Sequence, residues 1–190
     1  MNKIIRLGII LFGITAGTGL VLGAVQTVTK GPIEQQQIKQ KNNALAATLP
    51  GAVSFDPVAI EGDAGLITEI FEGKNEEGTV GYNFSLAPKG YGGIISLVCG
   101  INNEGRVMDI TILQSSETPG LGARASEPGF AGQFHEKLSD GALEVTKNPP
   151  ERDSQIQAIS GATRTSAAVI LAVNNARSYW AEHFKKEGAN

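Results

Sequence analysis

From Leu7 to Val25 the chain carries 19 consecutive residues without a charge, and no other feature constrains its architecture as much. As a helix rising about 1.5 Å per residue, this run spans roughly 28 Å, close to the ~30 Å hydrocarbon thickness of a bilayer. Lys3 and Arg6 precede it, and the positive-inside rule then puts the N-terminus in the cytoplasm and the rest of the chain on the outer side. The run exceeds the roughly 7–15 residues of a signal-peptide core, and Gln26-Thr27-Val28-Thr29-Lys30 has no small-x-small cleavage site, so a retained single-pass anchor is expected. Gly13 and Gly17, and Gly19 and Gly23, have the spacing that lets a neighbouring helix approach closely.

A chain of 190 residues supports one folded domain beside this anchor. Lys3, Arg6 and Lys30 are the only charges before residue 31, so the 13 basic and 19 acidic residues that follow give the remainder a net charge of −6. That balance speaks against nucleic acid or anionic lipid headgroups as partners of the exposed domain. The single cysteine, Cys99, excludes an internal disulfide, a four-cysteine zinc site and an iron–sulfur cluster held by this chain alone. Lying in the apolar run Gly93–Cys99, it reads as a buried structural thiol. His135 and His183 are too few for a metal site and read as solvated or capping residues.

Three segments follow: an anchor over 1–30 with its span at about 7–25, a juxtamembrane helix over 31–50, and a domain over 51–190. Pro32 suits a first helical position, and Leu49-Pro50-Gly51 suits a stop. Strands are predicted at Gly65–Glu72, Gly78–Ala87, Gly93–Ile101 and Arg106–Gln114, with Asn102-Asn103-Glu104-Gly105 as a turn, which together suggest an antiparallel meander. Met108, Ile110 and Ile112 alternate with Asp109 and Thr111 as in a half-buried strand. From Ser166 to Phe184, Val169, Val173, Ala176, Trp180 and Phe184 fall on one face of a long amphipathic helix.

Chemistry concentrates at two motifs. Ser160-Gly161-Ala162-Thr163 sits where a helix start presents unpaired N–H groups and a positive dipole, which suits a phosphate; Gly161 and Ala162 leave room and Thr163 brings a hydroxyl. Taken alone, the tetrapeptide reads better as ordinary capping of that helix by Ser160, Thr163 or Thr165 over a tight turn. Glu117-Thr118-Pro119-Gly120-Leu121-Gly122 is a rigid turn after the clearest strand. Gly90-Tyr91-Gly92-Gly93 reads as a glycine turn ahead of a strand, with an aromatic beside a bound ring as the lesser reading.

In this order, the two motifs and the anchor resemble the FMN-binding domain family, and in particular the G subunits of the Rnf electron-transport complex; the C subunit of the sodium-translocating NADH:quinone reductase is similar but usually longer. The resemblance implies an α+β fold, with one N-terminal transmembrane helix followed by an FMN-binding domain built on a largely antiparallel sheet with flanking helices. It implies FMN joined as a phosphoester to Thr163 by a flavin transferase, making the chain a covalent flavoprotein and phosphoprotein, with Ser160, Gly161, Ala162 and Thr165 around the attachment. Glu117 and Thr118 would hydrogen-bond the ribityl chain or ring edge, and Leu121 with Gly122 would pack on the isoalloxazine. Relatives often carry an aspartate three positions before the serine, where this chain has Gln157.

The function implied is a redox carrier in a prokaryotic cell membrane. It would work with integral-membrane and iron–sulfur or flavin subunits of a ferredoxin:NAD oxidoreductase that couples electron flow to sodium or proton transport. No Gly-x-Gly-x-x-Gly follows a predicted strand, so this chain is not expected to bind NAD itself. A flavin-free binding or assembly scaffold is the alternative.

Overall fold

Two units, Met1–Lys41 and Asn42–Asn190, make up the chain in this computed structural model, which describes residues 3–137 and 141–185. Helix α1, Lys3–Thr48, runs through the first unit and contributes its last turns to the second. Among the described residues it is the one helix long and apolar enough to cross a membrane. Its threonines do not leave polar groups stranded: Thr15, Thr27 and Thr29 donate to the carbonyls of Leu11, Gly23 and Val25, one turn back.

Pro32 does not begin a separate helix as its position suggests, because α1 continues through it. Proline withdraws one N–H, here the partner of the Val28 carbonyl, and the turns on either side carry the helix past that single gap. Lys30 and Glu34, one turn apart and 3.8 Å from each other, straddle the position.

In the second unit, β1 (Ser54–Val58), β2 (Ile67–Asn75), β3 (Gly78–Leu86), β4 (Ser96–Asn102) and β5 (Val107–Gln114) form an antiparallel meander in sequential order. Phe84 stands opposite Cys99, and Cys99 opposite Ile110. Leu97, Cys99 and Ile101 point into a core shared with Val169, Val173 and Ala176 of α3 (Thr163–His183). Val98, between them, packs with Ala44 and Leu45 at the end of α1. β4 is therefore covered on both faces, which is why its buried stretch Leu97–Ile101 is unbroken by polar residues instead of alternating. In β5 the core positions are Val107 and Ile110, with Met108 outside the core; an irregularity opposite Gly100 and Ile101 shifts the register that strict alternation assumes.

Short helical turns at Gly122–Ser126, α2 (Pro128–Ala131) and Gly132–Phe134 follow β5. A two-stranded parallel pair, β6 (Glu144–Thr146) and β7 (Gln155–Gln157), then leads into α3. The last turn of α1 is fastened by buried hydrogen bonds: the Asn83 amide donates to the Leu45 carbonyl at 3.0 Å, and the Thr48 hydroxyl lies 2.8 Å from Asn83 Oδ1.

Two outcomes are expected. Asn83→Ala removes two buried hydrogen bonds, to the Leu45 carbonyl and with the Thr48 hydroxyl, and should lower unfolding stability by about 1–3 kcal/mol in denaturant titrations. Burial pushes the Cys99 thiol up to about 12. A thiol reagent applied at about pH 8.5, where an ordinary thiol is half ionised, should therefore label the unfolded chain and leave the native one unlabelled.

Candidate functional site

The sheet and α3 bring together segments that lie far apart in sequence. A cleft of about 310 Å³ has three walls. One is Tyr91, in the turn between β3 and β4; the second is Glu117, Thr118, Leu121 and Gly122, in the loop after β5. The third is Gly161, Ala162, Arg164 and Thr165, at the head of α3. Sequence reasoning singled out all of the second group and Gly161, Ala162 and Thr165 of the third. Thr163, flanked by the lining residues Ala162 and Arg164, is exposed as the first residue of α3 and is not itself part of the wall. Ser160 faces a separate polar hollow shared with Arg124, Gln133 and Gln157.

The head of α3 is not capped by a side chain. Its N-cap residue is Ala162, which can offer none, and the hydroxyls that sequence reasoning considered for the task are used elsewhere or face solvent. Thr165 donates to Glu117 Oε2 at 2.9 Å, and Ser166 donates to the Ala162 carbonyl while accepting the Ile159 N–H. Without a side-chain cap, the first-turn N–H groups remain available to an anion, and the helix dipole favours one there. Arg164, exposed beside them, adds a cation.

Glu117 is 7% exposed, and its carboxylate is engaged within the protein. Oε1 accepts the N–H groups of Tyr91 at 2.7 Å and Gly92 at 3.0 Å, while Oε2 takes the Thr165 hydroxyl. The motif-based expectation gave this carboxylate a ligand contact; in the structure it ties the three walls to one another. Gly122 is required by that packing, since a Cβ there would run into Glu117 Oε2 and the Thr165 hydroxyl. Gly161 adopts φ +77°, a left-handed turn that aims the chain into α3.

Sequence reasoning set Tyr91 aside as part of a turn, and it is in one: the Gly90 N–H donates to the Gly93 carbonyl at 2.8 Å. The same turn presents Tyr91, 74% exposed, to the cleft. Arg164 was visible only as a residue inside a motif, with nothing to indicate its direction. Among the described residues no group of three His, Cys, Asp or Glu stands close enough to hold a metal. His135 lies 3.5 Å from Asp109, and His183 stacks on Tyr179. The cleft thus combines apolar and aromatic surface from Leu121 and Tyr91 with amide donors and a cation, a combination suited to a planar ring bearing an anionic tail.

Comparison with known proteins bears on the same segments. The RnfG N-terminal region matches residues 1–47, and the FMN-binding domain matches residues 90–178. The G subunit of the Na(+)-translocating ferredoxin:NAD(+) oxidoreductase complex of Acetobacterium woodii is 36% identical over 184 residues, covering 90% of this chain and 88% of that protein. The chain belongs to the family of Rnf G subunits. Two more relatives lie in the same family. The G subunit of the proton-translocating ferredoxin:NAD(+) oxidoreductase complex of Clostridium ljungdahlii is 35% identical, covering 84% of this chain and 82% of its own. The G subunit of the ion-translocating oxidoreductase complex of Methanosarcina acetivorans is 31% identical, covering 94% and 95%. The fold is also that of a solved structure, the C subunit of the Na(+)-translocating NADH-quinone reductase of Parabacteroides distasonis. Its TM-score is 0.57 at 21% identity, over 72% of this chain and 79% of that one. An α+β fold with an apolar N-terminal helix, an antiparallel sheet and flanking helices thus describes this Rnf G subunit, and its FMN-binding domain has the fold of its structural neighbour.

Replacing Gly122 by alanine drives a methyl group against the Glu117 carboxylate and Thr165. Unfolding stability should fall by about 1–3 kcal/mol, the usual range for an overpacked interior, as read from the midpoint of denaturant unfolding.

Proposed function

We propose that this Rnf G subunit is a membrane-anchored electron-transfer protein of a ferredoxin:NAD(+) oxidoreductase complex that couples electron flow to sodium or proton translocation. FMN occupies the cleft and is esterified through its phosphate to Thr163. One observation carries the attachment: Thr163 places an exposed hydroxyl at the uncapped head of α3, between residues that line the cleft. The residues fit the group. Leu121 and Tyr91 give apolar and aromatic surface for a flat ring, and the first-turn N–H groups with Arg164 give the charge a phosphodiester needs.

When bound, FMN supplies the electron-carrying ring system, and the chain supplies position and electrostatics. A covalent tether keeps the flavin from leaving between turnovers, and the rigid junction of loop, turn and helix limits how far its ring can wander. Maturation falls to a flavin transferase, and integral-membrane, iron–sulfur and flavin subunits of the complex are the partners. Lys3 and Arg6 orient α1 with its start in the cytoplasm, so that the flavin domain lies on the outer face of a single-pass protein.

Thr163→Ala should abolish covalent flavin while leaving a folded domain, since an exposed substitution of this kind changes stability by about 0.5 kcal/mol or less. Thr163→Ser, which keeps the hydroxyl, should be partly modified. Flavin absorbance of protein purified under denaturing conditions, with the mass of the Thr163 peptide, is the measurement. Wild-type flavin content in the alanine variant would rule out Thr163, and a colourless wild-type protein would favour the flavin-free scaffold. Protease added to right-side-out vesicles should release the domain; protection there, with cleavage only from the cytoplasmic side, would reverse the orientation.

A further inference from the structure

A buried carboxylate is stabilised only by donors aimed at it, and Glu117 has donors from two sides of the cleft. The Tyr91 and Gly92 N–H groups reach Oε1 at 2.7 and 3.0 Å, and the Thr165 hydroxyl reaches Oε2 at 2.9 Å. The side chain lies in a slot bounded by glycines: a Cβ at Gly90 would meet Oε1, and one at Gly122 would meet Oε2. Tyr91 is in the opposite situation. Its backbone N–H is held by this buried group, while the residue as a whole is 74% exposed and lines the cleft. A tyrosine with no packing role of its own is thus held in place by a buried charge.

We propose that Glu117 is a positioning residue, a strut that locks the Tyr91 turn to the head of α3 so that the Tyr91 ring lies against the flavin. This rests on the proposal that FMN occupies the cleft. Glu117 then acts on the flavin only through Tyr91. Two consequences follow from the chemistry. A glutamine at 117 keeps an oxygen for both N–H groups and can still pair its amide with the Thr165 hydroxyl, so it should preserve the arrangement. An alanine leaves both N–H groups unpaired and releases the turn.

The fluorescence of the attached flavin reads the contact directly, because a tyrosine touching an isoalloxazine quenches its emission and denaturation removes that quenching. The experiment uses the full-length, flavin-loaded chain in detergent and compares native with denatured emission, normalised to flavin content. Tyr91→Ala should raise native emission several-fold, Glu117→Ala should raise it equally, and Glu117→Gln should stay near wild type. The double alanine variant should rise no further than either single one, as expected of residues acting through one contact. Thr165→Val removes only the donor to Oε2 and should give a smaller rise in the same direction. Additive effects in the double variant would place Glu117 on the flavin itself and overturn the proposal. So would unchanged native emission in Tyr91→Ala, in Glu117→Ala or, should that variant not fold, in Thr165→Val. A wild-type protein without flavin after denaturation overturns the covalent attachment and this proposal together, whereas normal flavin content with unchanged emission overturns this one alone.

Discussion

Burial of β4 on both faces is the constraint from which the domain follows. Val98 needs cover on one side, and the end of α1 supplies it through Ala44 and Leu45. Leu97, Cys99 and Ile101 need cover on the other, and α3 supplies it through Val169, Val173 and Ala176. A strand buried on both faces exposes no polar surface of its own, so its neighbours must satisfy its backbone and its two helices must exclude water. The Asn83 bonds to Leu45 and Thr48 show the second requirement met with polar groups: the helix end is fixed by hydrogen bonds as well as by packing.

Once α3 is seated on the sheet, its head is brought beside the loop leaving β5, and the cleft is the gap between them. Packing alone would leave that gap adjustable. The Glu117 carboxylate removes the freedom by joining backbone N–H groups of one segment to a side-chain hydroxyl of another, 48 residues further along the chain than the carboxylate itself. Membership of the family of Rnf G subunits accounts for the presence of the two motifs; their internal hydrogen bonding accounts for the shape they make together.

Legibility in the sequence follows the physics of each element. β2 to β5 could be read because the runs are long, the apolar content is high and Asn102-Asn103-Glu104-Gly105 marks a turn. β1 could not, since Pro57 demotes the run and an edge strand paired, among the described residues, only to β2 needs no strong pattern. Three-residue strands such as β6 and β7 are too short to show a period. At the site, motif order located the cleft, yet the direction of the Glu117 side chain is a tertiary fact that residue types cannot carry. Tyr91 beside a bound ring remained the lesser reading for the same reason: nothing in Gly90-Tyr91-Gly92-Gly93 refers to a carboxylate 26 residues ahead.

The first turn of α3 holds three hydroxyl side chains, and the fold treats them differently. Thr165 and Ser166 are 1% and 0% exposed, each committed to internal hydrogen bonds, while Thr163 faces outward. An enzyme meeting the folded domain therefore encounters one candidate nucleophile in that turn instead of three, before it reads any side chain. Under the proposed esterification, regioselectivity would be delegated to the substrate's own packing, with folding first and the flavin added to a finished surface.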